Sequence, residues 1–459
     1  MNSSVWTALL PSPRFSGHTA GIVAAVVIAA TTLLVAICRR RLANAVPASH
    51  DQKEVLLKIE QGLAWLGVDV TAVTFYRGND GVPPTEFIAE RIRQILCKNP
   101  SLLGRLHSTG DGNVVLTYSS EYKPESEVNP CVMRIAGDGK IHLGMDYMEM
   151  NRAVKEYKCV KDWKELFKVT LFPRTDSEGG WAMMVSMAHA IGDGATFYQI
   201  QSMLDVDNQV YTLDAKRKHE FDTCRECFGM YLNESWCQTL RRGRVFLGGA
   251  LWAFLGKVFP TSTLPKIEGV LATVDQEFIA DKKRKYGNGG DFVSTNDIIT
   301  SWFFDVAPSP IMLMAVNLRP RLKWLSTLGA NYLSIAAYSS GRDPTSPRDI
   351  RSSLTTYATQ GSPQSLSPSI YESLKCPTTL ITNWVSFCNS PKFVDSQAVL
   401  HLPLMFCDER SRAASLCVIF CSRPGEVSIV AVNATGLTHN IQAHPIIGKS
   451  LLAHKEIHF

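Results

Sequence analysis

The 459-residue sequence lacks a cysteine framework. Its 12 cysteines are scattered without short regular spacings, which excludes a small disulfide-stapled scaffold and suits free thiols in a reducing compartment. Cys224-Arg225-Glu226-Cys227, with His219 and Cys237 nearby, has half of a zinc-site pattern, but no second closely spaced pair completes it, so no metal is expected. Charge of one sign is also scarce. The formal net charge is +5, with Lys and Arg spread along the chain, which argues against a nucleic-acid binder. No internal sequence repeat and no low-complexity tract is present, which excludes a repeat array.

What is present is apolar material. Hydrophobic residues make up 45% of the chain, ample for the core of one large enzyme unit. The longest uncharged stretch is Thr19 to Cys38, twenty residues followed at once by Arg39, Arg40 and Arg41. At ~1.5 Å per residue it matches the ~30 Å hydrocarbon layer of a bilayer. The arginines place its C-terminal flank in the cytosol. A cleaved signal peptide is the alternative, with Ala43-Asn44-Ala45 as a small-residue site, and a plastid presequence is another. The stretch is expected to be a retained single-pass anchor in the endoplasmic reticulum, with the catalytic domain cytosolic. Sequons at Asn2, Asn233 and Asn433 would then be usable only from the luminal side.

The segment richest in chemistry is Ala188-His189-Ala190-Ile191-Gly192-Asp193-Gly194. It follows the apolar run Trp181 to Met187, which reads as a buried strand, and precedes Ala195 to Leu204, which reads as a helix. An imidazole on such a turn is rigidly held and can face a cavity, and its reference pKa of ~6.5 suits proton exchange at neutral pH. The glycines are expected to permit the sharp turn. Alone, His-x-x-x-Asp-Gly also arises by chance, with the histidine merely packed. A metal hydrolase using His189 and Asp193 would need a third ligand, and none stands at diagnostic spacing.

Other segments follow in order. Glu86 to Asn99 is an amphipathic helix ending before Pro100. Later come Ser294-Thr295-Asn296-Asp297, Asn317-Leu318-Arg319, Gly329-Ala330-Asn331-Tyr332 and Thr382-Asn383-Trp384. In this order and spacing, over about residues 55 to 435, the chain resembles the CoA-dependent acyltransferases with a chloramphenicol-acetyltransferase-like fold, and most of all the BAHD type. The resemblance implies an α/β pseudo-dimer of two lobes, with CoA entering a tunnel between them from one side and the acceptor from the other. It implies His189 as general base, Asp193 turned away from it and paired with Arg319 to hold the loop, and Gly194 beside them. Thr382 and Trp384 would face the tetrahedral oxyanion. Ser294, Thr295, Asn296, Asn331 and Lys283 are the residues expected to meet CoA or substrate. Acyl-CoA is the co-substrate and no cofactor is implied. Two departures stand out: the BAHD Asp-Phe-Gly-Trp-Gly segment is absent, and Ala188 replaces the first of the adjacent histidines of wax-ester-synthase relatives.

The expected organisation is a tail (1–18), a transmembrane anchor (19–38), a linker (39–55), an N-terminal lobe (56–205), a crossover (206–270) and a C-terminal lobe (271–459). Within the crossover, residues 245–256 form a short apolar helix, either core or interfacial. Lys282-Lys283-Arg284-Lys285 is a solvated helix end or a contact for CoA phosphates or anionic lipid. Asp343 to Ser369, rich in Ser, Pro and Thr, reads as a mobile surface loop. Residues 414–420 and 427–432 read as a strand pair turning at Pro424-Gly425. The function expected is a monomeric, membrane-anchored O-acyltransferase acting on a lipophilic alcohol. A non-catalytic descendant of the fold and a condensation-type amide-forming enzyme are the alternatives.

Overall fold

A computed structural model describes residues 50–122, 132–159, 163–174, 180–223, 267–287, 292–320, 329–360, 369, 372, 378–405, 414–433 and 436–452. Three sheets organise them. The small sheet has the order β1-β4-β3, from β1 (Gln52–Val55), β3 (Arg105–Ser108) and β4 (Val114–Tyr118). A five-stranded sheet has the order β12-β2-β7-β6-β5, built from β2 (Asp69–Gly78), β5 (Met133–Ile135), β6 (Phe167–Arg174), β7 (Gly180–Ala188) and β12 (Ser396–Pro403). The seven-stranded sheet runs β10-β9-β11-β13-β14-β8-β15. Its strands are β8 (Glu268–Val274), β9 (Met312–Asn317), β10 (Leu333–Tyr338), β11 (Thr378–Asn383), β13 (Ala414–Arg423), β14 (Glu426–Asn433) and β15 (Ile447–Ser450).

The two large sheets are tied covalently and by packing. β12 comes late in the chain yet pairs antiparallel with β2, with Leu402 opposite Val73 and His401 opposite Thr74. Alternation along β13 and β14 then puts the seven-stranded sheet against two cores. Val418, Phe420, Val430 and Val432 belong to the cluster that contains β2, β6 and β7, whereas Cys417, Ile419, Ile429 and Ala431 belong to a second cluster with Ile299 and Phe303. A strand buried on both faces reads as a continuous apolar run, as these two do. They form an antiparallel hairpin that turns at Pro424-Gly425, with Gly425 at φ 77°.

β7 lies centrally, between β2 and β6, and Trp181 to Ala188 are all buried. Nine helices among the described residues are α1 (Lys58–Leu66), α2 (Thr85–Lys98), α3 (Tyr147–Ala153), α4 (Gly194–Ser202), α5 (Glu220–Thr223), α6 (Gln276–Gly287), α7 (Thr295–Val306), α8 (Pro347–Gln360) and α9 (Thr438–Gln442). α2 buries Ile88, Ile92, Ile95 and Leu96, a single stripe at helical spacing, and each contributes about 1.5–3 kcal/mol of burial. It stops where Pro100 removes the next donor, and Asn99 Nδ2 bonds the Ile95 carbonyl at 3.1 Å.

Two expectations are corrected. Residues 343–369 do not read through as loop, because α8 occupies 347–360. Ser346 and Asp349 cap it reciprocally, with Ser346 N to Asp349 Oδ2 at 3.1 Å and Asp349 N to Ser346 Oγ at 3.3 Å, and Ile350 and Leu354 bury one face. The single-pass membrane placement is corrected as well, since the described residues provide no helix for it. No helix among the described residues is long and apolar enough to cross a membrane. α2 and α8, at 14 residues, reach ~21 Å and carry charged faces. The endoplasmic-reticulum address, the membrane-lipid partner and the transmembrane helix are therefore not carried further. Residues 19–38 and the apolar segment 245–256 lie outside the described residues. Asn433 is buried at the end of β14, its Oδ1 accepting from Leu437 N at 3.3 Å, which leaves no room for a glycan.

Candidate active site

His189 is the first residue past β7. Its backbone N–H bonds the Val68 carbonyl at 3.0 Å, just before β2, so the imidazole starts from the firmest part of the five-stranded sheet. The turn closes with Ile191 N to Ala188 O at 3.0 Å. The His189 ring is part-buried, and its Nδ1 is enclosed without a hydrogen-bond partner among the described residues. Gly192 and Gly194 are needed for space rather than for backbone freedom, since neither has a positive φ. A Cβ on Gly192 would stand 2.7 Å from Thr196 Cγ2 and 2.9 Å from Met187 Cε; on Gly194 it would stand 3.0 Å from Trp384 Nε1.

Asp193 caps α4, and both oxygens of its carboxylate are engaged. Oδ1 accepts from Thr196 N at 3.0 Å, and Oδ2 accepts from Arg319 Nη1 at 2.6 Å and Tyr332 N at 3.2 Å. Arg319 Nη2 donates to Thr196 Oγ1 at 3.0 Å and to the Ala330 carbonyl at 2.8 Å. The pair is buried, each side chain 6% exposed, and joins residues 126 apart in sequence. Ala330 takes three donors on its carbonyl, from Arg319, Thr196 and the Asp193 N–H, at a φ of 99° that a residue with a Cβ rarely adopts. Strain of this kind persists only where the surroundings over-determine it.

Trp384 is 9% exposed, and its indole nitrogen edge lies on Gly194. Its N–H has no partner among the described residues. Thr382 pairs with Val418, and Asn383 with Ile419. Because Val418 and Ile419 serve opposite cores, Thr382 shares the face of the β7 cluster, while Asn383 points the other way and donates to Asn296 Oδ1 at 3.0 Å. The second residue of Thr-Asn-Trp is thus turned from the His189 turn. On α4, Tyr198 packs edge-on against Trp384 with centroids 5.8 Å apart. Its hydroxyl meets His401 Nε2 at 2.7 Å, and His401 Nδ1 meets Thr74 Oγ1 at 2.8 Å. Burial lowers His401 to about 3 and raises Cys388, 3.4 Å from the Tyr198 hydroxyl, to about 11. Both are neutral at physiological pH.

The remaining candidates divide. Asn331 sits behind the turn: fully buried, its Nδ2 donates to the His189 carbonyl at 2.9 Å and to Glu60 Oε1 at 3.2 Å. Ser294 caps α7, its Oγ accepting from Asp297 N at 3.3 Å, on the side of the sheet that Asn383 faces. Thr295 opens that helix, and Asn296 meets Asn383. Lys283 is exposed on α6, where Arg284 pairs with Asp281 and Lys282 lies over Phe278. The structure brings together His189, Asp193, Gly194, Arg319, Trp384 and Asn331, puts Thr382 on the sheet face of the β7 cluster, and leaves Ser294, Thr295, Asn296 and Lys283 apart from them. Sequence reasoning missed Glu60 and Arg217, a buried pair at 3.0 Å beside the same turn. Nothing in a helical Lys-Ile-Glu-Gln stretch marks its glutamate as buried. Among the described residues no group of three His, Cys, Asp or Glu side chains is arranged to hold a metal ion, and Cys224, Cys227 and Cys237 lie outside them.

No protein-family model and no curated protein sequence matches the chain. Solved structures do. The first condensation domain of the calcium-dependent antibiotic synthetase, solved with a substrate analogue, aligns at a TM-score of 0.55 and 12% identity over 88% of this chain and 99% of its own. Vinorine synthase aligns at 0.54 and 14%, over 90% and 97%. TRI101 of F. graminearum, solved with ethyl coenzyme A, aligns at 0.52 and 13%, over 86% and 97%. At these identities the likeness concerns architecture, and its near-complete coverage on both sides extends through both large sheets. The chain therefore has the CoA-dependent acyltransferase fold shared by condensation domains and BAHD acyltransferases.

Proposed function

We propose that the protein is an acyl-CoA-dependent acyltransferase in which His189 is the general base. His189 takes the proton from an acceptor hydroxyl as its oxygen attacks the thioester carbonyl. The tetrahedral intermediate collapses with loss of the CoA thiolate, which receives that proton from His189. Trp384 N–H and the Thr382 hydroxyl stabilise the intermediate's oxyanion, a role in which a single donor is typically worth ~2.7–4 kcal/mol. Transfer is direct, since the site supplies a base and no nucleophile. The observation that carries the reading is the combination of a rigid turn with unspent chemistry. Asp193 and Arg319 are consumed in holding the loop, while the His189 imidazole and the Trp384 N–H keep their hydrogen-bonding capacity.

The lipophilic acceptor expected from the sequence rested on residues 19–38 and 245–256, so the acceptor is proposed only as an alcohol. The test is thiol release by the full chain from acyl-CoAs of graded length, with alcohol and amine acceptors and product mass spectrometry. Acceptor-dependent thiol release with a new ester is expected. Amide products alone would move the assignment to the condensation type, and no turnover together with no acyl-CoA binding by calorimetry would move it to a non-catalytic descendant.

A further inference from the structure

A second buried ion pair, Glu60 with Arg217, contacts the His189 turn besides Asp193 and Arg319. Glu60, on the first turn of α1, is wholly buried, and its carboxylate collects five donors. Oε2 accepts from Leu57 N at 3.0 Å and Arg217 Nε at 3.0 Å; Oε1 accepts from Arg217 Nη2 at 3.2 Å, Asn331 N at 3.1 Å and Asn331 Nδ2 at 3.2 Å. The two side chains it organises each hold one carbonyl of the turn. Asn331 Nδ2 donates to His189 O at 2.9 Å, and Arg217 Nη2 donates to Ile191 O at 3.3 Å. A buried ion pair rarely contributes more stability than apolar residues of the same volume, so stability alone does not account for this one. Its geometry accounts for it: one carboxylate fixes the carbonyls at the histidine itself and two residues beyond.

We propose that Glu60 is a positioning residue for His189, acting through Asn331 and Arg217 to hold the imidazole at the height from which it reaches the acceptor proton. This rests on His189 being the base. With Glu60→Gln, the amide NH2 confronts the donors of Arg217 and Asn331, the turn shifts, and kcat is expected to fall ~10- to 100-fold, as sub-ångström to ångström misplacements of a reacting group do. KM for acyl-CoA is expected to stay within about twofold, because no residue of this cluster needs to touch it.

The experiment is a set of four full-chain variants, each followed by kcat, KM and thermal unfolding: Glu60→Gln, Glu60→Leu with Arg217→Met, His189→Ala, and Glu60→Gln with His189→Ala. The apolar double variant is expected to fold at least as well as Glu60→Gln while remaining slow, and Glu60→Gln is expected to cost nothing further once His189 is gone. Recovery of the parent kcat in the apolar double variant would overturn the proposal, as would an undiminished Glu60→Gln loss on top of His189→Ala. A slow His189→Ala beside a full-rate Glu60→Gln defeats positioning alone. A full-rate His189→Ala defeats the base itself.

Discussion

Replacing Asp193 by asparagine separates the ion pair from the helix cap. The amide oxygen still accepts from Thr196 N, as an N-cap asparagine does, so the cap of α4 survives. The amide nitrogen takes the place of Oδ2 and faces two donors, Arg319 Nη1 and Tyr332 N, where a carboxylate oxygen stood. Arg319, 7% exposed, is left as an uncompensated buried cation. Removing one partner of such a pair costs about 3–5 kcal/mol. That is a large part of the ~5–15 kcal/mol that holds a domain folded. Adding Arg319→Met removes the stranded charge and is expected to return most of the loss. Asp193→Ala, which also deletes the cap, is expected to be worse than Asp193→Asn by about 1 kcal/mol. Urea unfolding of the three variants, read by circular dichroism and tryptophan fluorescence together, measures these differences. Acyl transfer is expected to be lost in all three, because Arg319 and Asp193 also hold Ala330 and Tyr332 against the turn. Asp193→Asn within about 1 kcal/mol of the parent, or a double variant no more stable than the single, would refute the reasoning.

Two further outcomes follow from the same geometry. Gly194→Ala puts a methyl group 3.0 Å from Trp384 Nε1, so the indole must move by a few tenths of an ångström. Overpacking of this kind costs about 1–3 kcal/mol, and the rate is expected to fall more than tenfold, with Trp384→Phe in the same background giving little further loss; a fully active Gly194→Ala would contradict the placement of Trp384 in the site. His401, held neutral by burial at a pKa of about 3 against an ordinary 6.5, leaves stability intact above pH 6.5 and withdraws it as pH falls from there toward 3. The slope rises toward ~1.4 kcal/mol per pH unit below 6.5, giving about 2 kcal/mol between pH 6.5 and 4.5, and unfolding measured across that window is expected to be less pH-dependent in His401→Gln.

Elements dominated by one local signal were legible in the sequence. The apolar run at 181–187 reads as a buried strand and is β7; the α2 stripe stops before Pro100 as read; the 414–432 hairpin turns at Pro424-Gly425. The Asp193–Arg319 contact was legible through resemblance, and it forms across 126 residues of chain. What remained illegible depends on tertiary context. α8 sits in a Ser- and Pro-rich stretch and is stabilised by the burial of Ile350 and Leu354, which composition does not report. Glu60 is the sharper case: a glutamate in the first turn of an amphipathic helix normally faces water, and only the approach of Arg217 and Asn331 makes its burial tolerable. Asn331 was read as a substrate contact because its segment resembles one, yet its amide nitrogen is spent on Glu60 and the His189 carbonyl. Lys283 lies on an exposed helix whose neighbours pair locally, as the solvated helix end that was one of the two readings of its charge run.

The most direct test of the central claim is the single-turnover rate of acyl transfer in His189→Ala beside the parent, with folding checked by unfolding temperature and acyl-CoA binding measured by calorimetry. A general base typically contributes ~10²- to 10⁴-fold. The account predicts a variant that folds, binds acyl-CoA as the parent does and transfers at least ~100-fold more slowly. A folded His189→Ala that transfers at the parent rate would contradict it.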